Sequence, residues 1–400
     1  MSRDGLPAVA GGTPLRALPL PYGRHQLTEA DIAAVVDSLR SGTLTGGDGV
    51  AAFERALAER CGAGQAVAVS NGSAALDLAV LALGIGPGDE VIIPPLTFVS
   101  TASAVLRAGA TPVFADVGDD RCLDPQAAAE AVTPRTRAVI AVDYAGLPAD
   151  VDALRAALPR PLAVIADAAH SLGASLRGRA VGALADITTF SFHPVKQVTT
   201  GEGGAVLTED AGIADRVRRL RNHGMTSAAE QRTGRQWRYD VTALGSNHRL
   251  SAFQAALGSA QLARLDGVLA QRSELGDRYD AALGTVPGVG LPPRPPGRHS
   301  AWHLYAVAID PDAFGCERDT VIDALRAERI EATLHYPAVH LLELYRSRGG
   351  RRGMAPRAEA LCDSLVTLPL FPSMTVADQD DVVAALTRVQ AWAGAHPVAR

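Results

Sequence analysis

Short β-rich runs alternate with helix-length segments between residues 66 and 207, and no other feature of the sequence constrains the fold as strongly. Segments such as AALDLAVLALG and DVDALRAALP are long enough for helices and separate most of the runs. Parallel strands need such crossovers and are buried on both faces, so the pattern predicts an α/β fold with a large, mainly parallel sheet. The runs are AVAV (66–69), EVII (90–93), TPVF (111–114), AVIAV (138–142), LAVI (162–165), ITTFSF (187–192) and GAVL (204–207).

The sequence predicts an N-terminal arm, a large domain and a smaller C-terminal domain. Residues 1–20 are rich in Gly, Pro and Ala without a clear period, which predicts a flexible N-terminal arm. A large domain is predicted at 21–265 and a smaller α+β domain at 266–400, which contains the proline-rich stretch VPGVGLPPRPPGRH. The smaller domain is predicted to contain the strand WHLYAVAI, the helix RDTVIDALRAE, the short strand IEATLHY and a helix after Thr375.

Two amphipathic helices are predicted directly after the arm. Thr28 can cap the first, with Asp31 three residues later, and apolar residues then fall on one face. The loop SGTLTGGDG (41–49) is too glycine-rich for regular structure and precedes the second helix. The apolar residues are Ile32, Val35, Val36 and Leu39 in the first helix, and Val50, Phe53 and Leu57 in the second.

The composition argues against several classes of protein. A net charge of −5 gives the chain no overall attraction to nucleic acid or to an anionic membrane. No stretch approaches the roughly 20 apolar residues of a membrane helix, and the N-terminus lacks an apolar core of signal-peptide length. The four cysteines are scattered without a CxxC pair, so we predict neither a metal site nor a disulfide framework and expect a cytoplasmic protein.

Polar residues follow three of the predicted strands, at the edge where open α/β sheets bind ligands. The turn SNGS (70–73) precedes a helix and is either a phosphate-binding turn or a plain helix cap. Asp167 follows LAVI, where it either points into the crevice or caps a helix. In SFHPVKQVTTGEGGAV (191–206), Lys196 follows a strand beside apolar residues and can act as an amine nucleophile.

Together these three weak signals suit one cofactor, pyridoxal 5'-phosphate (PLP). The glycine-containing turn would hold its phosphate, and the amine of Lys196 would bond to it covalently. Asp167 would keep the pyridine nitrogen protonated, which makes the ring an electron sink.

Several longer motifs carry a resemblance to a known family. They run from PYGRH (21–25) to LPLFP (368–372) and include SNGSAALDLAVLALGIGPGDEVI, ADAAHSLGA, FSFHPVKQVTTGEGGAVLT, NHRLS and HYPAVH. The chain resembles the sugar aminotransferases of the DegT/DnrJ/EryC1/StrS group, in particular the UDP-4-amino-4,6-dideoxy-N-acetylhexosamine (altrosamine-type) transaminases. The resemblance implies the PLP fold-type I aminotransferase architecture.

The resemblance also implies a role for each matching residue around the cofactor. Lys196 would bond to PLP and shuttle a proton, and Asp167 would pair with the pyridinium nitrogen. Phe98 would stack on the ring, although from the sequence alone it is equally a core aromatic, and His170 would lie near the ring hydroxyl. Asn247 would reach the phosphate of the neighbouring subunit, which implies a homodimer with shared active sites; from the sequence alone it is a loop asparagine. The phosphate ligands of the same chain would be Gly72, Ser73 and Ser191.

The substrate side follows from the same resemblance. The loop reads LTGGD (44–48) where the family usually has LTQGP, so the identity of the sugar stays open. The expected reaction is PLP-dependent transfer of an amino group from L-glutamate to the keto carbon, at C4, of a nucleotide-linked 4-keto-6-deoxy sugar. The substrate-binding positions would be Tyr22, Thr43, Leu44, Thr45, His335 and Tyr336.

Three alternative functions were weighed against this reaction. Aminotransferases for other keto-sugar nucleotides or for keto-cyclitols share most of the motifs, so they stay open. A PLP-dependent sugar dehydratase is disfavoured, because such relatives replace the lysine, commonly with histidine. A non-enzymatic regulator would need a DNA-binding head, which about 20 N-terminal residues cannot supply.

Overall fold

The computed structural model describes residues 6–226 and 239–396, where strands and helices alternate. The helices are α1 (Glu29–Arg40), α2 (Gly47–Cys61), α3 (Gly72–Ala82), α4 (Val99–Arg107), α5 (Pro125–Glu130), α6 (Val151–Ala157), α7 (Ala211–Leu220), α8 (Ala252–Leu262), α9 (Leu265–Leu283), α10 (Pro311–Phe314), α11 (Arg318–Ala327), α12 (Glu343–Arg346), α13 (Pro356–Ser364) and α14 (Val376–Ala395). The strands are β1 (Gln65–Val69), β2 (Glu90–Ile93), β3 (Thr111–Phe114), β4 (Thr136–Val142), β5 (Ala163–Asp167), β6 (Ser175–Leu176), β7 (Arg179–Ala180), β8 (Ile187–Ser191), β9 (Gly204–Thr208), β10 (Val289–Gly290), β11 (Arg298–His299), β12 (Tyr305–Ile309) and β13 (Leu365–Leu368).

Seven strands form the large sheet, in the order β1-β9-β8-β5-β4-β2-β3. Among the strands described, β9 alone in this sheet runs antiparallel to its neighbours, β1 and β8. The predicted mainly parallel sheet is therefore confirmed. Because the other strands share one direction, the carboxyl ends of β1, β5 and β8 lie along one edge of the sheet.

Helices cover both faces of this sheet. On one face, Phe53 and Leu57 of α2 pack in the same apolar cluster as Phe192. On the other face, Leu78 of α3 and Val217 of α7 belong to a second cluster. Burial on both sides explains why the strands are near-continuous apolar runs instead of alternating ones.

A second, antiparallel sheet of β10, β12 and β13 lies in the C-terminal part of the chain. Of the predicted strand WHLYAVAI (302–309), residues 305–309 form β12. The predicted helices α11 and α14 are present, and Thr375 caps α14. The predicted strand IEATLHY (330–336) is wrong: this segment makes only isolated bridges, Leu20–Ile330 and Thr333–Thr367. The segment lies beside the outer edge of β13, a strand that the sequence did not predict. Thr333 and Thr367 exchange two backbone hydrogen bonds there, but no continuous ladder forms.

The described part of the N-terminal arm, residues 6–20, differs from the expected flexible segment. The backbone N–H groups of Ala8 and Leu15 each donate a 2.8 Å hydrogen bond to the carboxylate of Glu328. Leu20 is buried against the C-terminal apolar cluster. A buried carboxylate without donors would be costly, so these contacts tie the arm to the C-terminal region. Residues 1–5 of the predicted arm lie outside the described part.

Helix α1 has the predicted cap, but helix α2 begins earlier than predicted. Thr28 and Asp31 form a capping box at the start of α1. Helix α2 begins at Gly47, inside the predicted loop, where Gly46 and Gly47 have φ angles of 64° and 75°. Glycine adopts such angles without steric cost, and so the helix can begin earlier than expected. In the parts of the chain that the structure describes, no helix has the length and apolar character to cross a bilayer.

Candidate active site

A cleft of about 620 Å³ opens where the carboxyl ends of β1, β5 and β8 meet. Most residues that the sequence points to contribute to its wall. They are Tyr22, Gly72, Ser73, Phe98, Asp167, His170, Ser191, Lys196, His335 and Tyr336. The parallel sheet therefore brings together side chains that lie far apart in the sequence.

One end of the cleft is the N-terminus of α3, which follows β1 directly. Asn71 caps this helix by accepting a 2.8 Å hydrogen bond from the N–H of Ala74. Ser73 shares a 2.6 Å hydrogen bond with Ser100. A Cβ atom on Gly72 would lie only 2.7 Å from the Cβ of Ser191, so a glycine is needed for this approach. The free N–H groups and hydroxyls at the N-terminus of α3 could bind an anion.

Asp167 is the last residue of β5 and is buried at the base of the cleft. Thr101 donates a 2.6 Å hydrogen bond to its Oδ2. Burial raises the pKa of this carboxyl group, while the Thr101 hydroxyl and the positive charge of Lys196 act in the opposite direction. The carboxylate therefore accepts hydrogen bonds from the Thr101 hydroxyl and, at 3.4 Å, from the N–H of Ala169 rather than from solvent.

Lys196 follows β8 and projects its amine into the same cleft. Its Nζ lies 3.2 Å from Nε2 of His303. Burial lowers the pKa of the amine to about 7, against the opposing attraction of Asp167. Lys196 is also the only lysine among the 400 residues, a signal in the sequence that the motif-based interpretation did not use.

Two histidines meet beside this lysine, and only one of them was predicted. The rings of His170 and His303 lie 4.4 Å apart between centroids, and Nε2 of His170 lies 3.2 Å from the Tyr336 hydroxyl. Burial, together with the nearby Lys196 charge, lowers the pKa of both imidazoles well below the usual value. His303 was missed because it precedes a strand of the other sheet, and only tertiary packing brings it to the cleft.

Aromatic side chains form the other side of the cleft. Phe98 is 52% exposed and its ring lies 5.6 Å from that of Tyr336, so it is not the core aromatic that the sequence left open. The rings of Tyr22 and His335 lie 5.3 Å apart. Nδ1 of His335 lies 3.0 Å from the Thr367 hydroxyl, and burial lowers the pKa of this histidine to about 4.

Four predicted residues do not line the cleft of their own chain. Thr43, Leu44 and Thr45 lie beside the start of α8, where the Leu44 carbonyl accepts a hydrogen bond from Ala252. Asn247 is exposed and forms an isolated bridge with Asn222. None of these four residues lines the cleft in the single chain.

The residues of the cleft fit PLP. The N-terminus of α3, Ser73 and Ser191 suit a phosphate dianion, the buried Asp167 suits a pyridinium nitrogen, and Lys196 supplies an amine of lowered pKa. Across the described ranges, no group of three or more His, Cys, Asp or Glu residues is placed to hold a metal ion.

Comparisons with known proteins identify the family of the chain. The model of the DegT/DnrJ/EryC1/StrS aminotransferase family matches residues 25–387. The spore coat polysaccharide biosynthesis protein SpsC of Bacillus subtilis is 41% identical over 374 residues, which are 92% of this chain and 96% of SpsC.

Solved structures of sugar aminotransferases are also similar to this chain. The sugar aminotransferase Spr1654 of Streptococcus pneumoniae, known in PMP, PLP and apo forms, is 29% identical; its PLP form has a TM-score of 0.86 and covers 94% of this chain and 99% of its own. DesI, solved in the presence of its TDP-sugar product, is 34% identical with a TM-score of 0.87, covering 99% of this chain and 100% of its own. Together with the cleft, these matches show that the chain belongs to the DegT/DnrJ/EryC1/StrS aminotransferase family and is a PLP-dependent sugar aminotransferase of fold type I.

Proposed function

We propose that the chain transfers an amino group from L-glutamate to the keto carbon, at C4, of a nucleotide-linked 4-keto-6-deoxy sugar. The observation that carries this proposal is the placement of Lys196 and Asp167 in one cleft whose far wall is formed by Tyr22, His335 and Tyr336. DesI was solved in the presence of its TDP-sugar product, which supports a nucleotide-linked sugar as the substrate class.

Asp167 and Lys196 divide the proton chemistry between them. When bound, PLP supplies an electron sink for the carbon that carries the nitrogen. Asp167 would hold the proton on the pyridine nitrogen; the Thr101 hydroxyl and the Lys196 charge favour its ionised form and oppose the effect of burial. The amine of Lys196, with a pKa of about 7, can both accept and return a proton near neutral pH, which is the condition for a general acid–base.

The remaining residues would orient the two molecules. Gly72, Ser73 and Ser191 would hold the phosphate at the start of α3. Phe98 would cover one face of the ring, and His170 would lie near the ring hydroxyl. The aromatic groups of Tyr22, His335 and Tyr336 present polar edges and apolar faces to the sugar, a combination that suits a deoxy sugar.

We further infer that the protein works as a homodimer with shared active sites. The predicted apolar face of α1 is only partly covered by its own chain: α1 packs against α8, yet Ile32 and Leu39 are 46% and 50% exposed. Leu44 is 53% exposed, in the loop beside the start of α8. Burying these side chains against a second copy would be favourable. Such an interface would carry residues 43–45 and Asn247 toward the partner's cleft.

The cytoplasm is the proposed compartment. The four cysteines, Cys61, Cys122, Cys316 and Cys362, are all buried and unpaired. Free, buried thiols are typical of proteins kept in a reducing environment.

A substrate panel tests the proposed reaction. Purified protein is incubated with PLP, L-glutamate and each of a set of UDP- and TDP-linked keto sugars and keto-cyclitols, and product masses are measured. The proposal predicts an amine at C4 of a nucleotide-linked 4-keto-6-deoxy sugar, with Lys196→Ala as the inactive control. Amination of a keto-cyclitol alone, or at another sugar carbon, would contradict it.

A further inference from the structure

The amine of Lys196 has a partner that comes from the other sheet. His303 lies two residues before β12 and reaches the cleft with Nε2 3.2 Å from the lysine Nζ. The imidazole is 4% exposed, so it is held by protein on nearly all sides. This contact joins the loop after β8 to the C-terminal region, at the atom on which the chemistry depends.

The backbone that carries His303 is held by a buried arginine. Nη1 of Arg272 donates hydrogen bonds to the carbonyls of Trp302, at 2.9 Å, and His303, at 3.3 Å. Arg272 is 2% exposed and also donates to the Leu370 carbonyl. Three carbonyls around one buried guanidinium leave this segment little freedom to move. The backbone that carries His303 is therefore held in place, with the ring packed beside the lysine.

We propose that His303 is a positioning residue whose Nε2 accepts a hydrogen bond from the Lys196 amine whenever that amine is not bonded to the cofactor, and that Arg272 fixes the backbone that presents it. This inference rests on the proposed function only through the role of Lys196. An ammonium group has three donors and no acceptor, and leaving it buried without an acceptor is costly. His303 supplies an acceptor without adding charge, because burial and the Lys196 charge lower the pKa of its imidazole well below the usual value.

Several charges act on this amine, and the sign of the His303 effect follows from them. Asp167 favours the charged amine, while burial and Arg272 favour the neutral one. A neutral acceptor also favours the charged amine, so loss of His303 lowers the pKa of Lys196. The ionisable groups that interact with the lysine are Asp167, His170, His193, Arg272, His303 and His335.

The reactivity of the only lysine tests this inference directly. The full chain, freed of PLP and without substrate, is treated with trinitrobenzenesulfonate over a range of pH, and the rate of modification is followed on the peptide that contains Lys196. Peptide mapping separates this signal from the N-terminal amine, and no other lysine can react. The variants are His303→Leu, which cannot accept, His303→Gln, whose amide oxygen can, and His299→Leu, an exposed control four residues away.

His303→Leu is expected to lower the midpoint of the pH–rate profile by about one unit, and so to speed modification about tenfold below the wild-type midpoint. His303→Gln should restore most of the shift, and His299→Leu should match wild type. An unchanged or raised midpoint in His303→Leu, an equal shift in His299→Leu, or no restoration by Gln would overturn the proposal. If His303→Leu does not fold, as judged by near-ultraviolet circular dichroism, His303→Ala, which also lacks an acceptor, replaces it. Because no sugar is present, a failed substrate panel with a shifted midpoint would count against the proposed function alone.

Discussion

Thr101 Oγ1 donates a hydrogen bond of 2.6 Å to Oδ2 of Asp167, beneath the cleft. The same hydroxyl lies 2.7 Å from that of Thr97, so a pair of buried hydroxyls supports one carboxylate. This arrangement offsets the burial that raises the pKa of Asp167. An ionised carboxylate at this depth is what the proposed pairing with a pyridinium nitrogen requires.

Thr101→Val should raise the pKa of Asp167, because a hydrogen bond to the charged form is lost while the burial remains. The group must be ionised to act, so the acidic limb of the kcat/KM profile is expected to move to higher pH, by about one unit. Thr101→Ser keeps the hydroxyl and should match wild type. Identical acidic limbs for the Val and Ser variants would argue against a role for this hydrogen bond.

Asp167→Asn should retain PLP but slow turnover on the order of 10²–10⁴-fold. In the proposed arrangement the phosphate binds elsewhere, at Gly72 and Ser73, so PLP binding should not depend on this carboxylate. A neutral amide cannot hold the proton on the ring nitrogen. Cofactor content by absorbance and kcat in the same preparation check both parts. Near wild-type kcat would remove Asp167 from the proposed chemistry.

Gly72→Ala should weaken PLP binding about tenfold or more, because the new Cβ would lie 2.7 Å from the Cβ of Ser191. Equilibrium titration of the apoprotein with PLP measures the change. Gly267→Ala is the matched control, since a Cβ there meets nothing within 4 Å. Equal affinities for the two variants would mean that the phosphate does not lie at this turn.

Much of the fold could be predicted from local sequence. The run EVII became β2 residue for residue, and Thr28 with Asp31 formed the expected cap. Buried parallel strands and capped helices are determined by nearby residues, which explains this success. The strand expected at 330–336 is wrong because strand pairing depends on segments distant in the sequence. This segment contacts β13 only through the bridge Thr333–Thr367.

The site was only partly predictable. Asp167 and Lys196 follow strands, so the rule for strand ends was enough to select them. His303 lies 107 residues after Lys196, and nothing local indicates that the two meet. The apolar face of α1 was predicted from its period, yet Ile32 is exposed in the single chain. Periodicity identifies an apolar face but not the surface that covers it.

Mixing Lys196→Ala and Asn247→Asp subunits tests the shared site. Each variant alone should be poorly active. In a mixed dimer, one site carries both defects and the other carries neither, so part of the activity is expected to return after subunit exchange. Rates are measured before and after mixing, with each variant mixed with itself as the control. Absence of rescue, or a fully active monomer at low concentration, would refute the shared site and leave the aminotransferase assignment intact.

Borohydride reduction of the PLP-loaded protein tests the role of Lys196 most directly. Because the sequence contains no other lysine, a pyridoxyl group on a side-chain amine has only one possible position. The account predicts one such group per chain, on the peptide that contains Lys196, and none in Lys196→Arg. A chain that retains PLP while this peptide stays unlabelled, or that carries the label only on its N-terminal amine, would contradict the account.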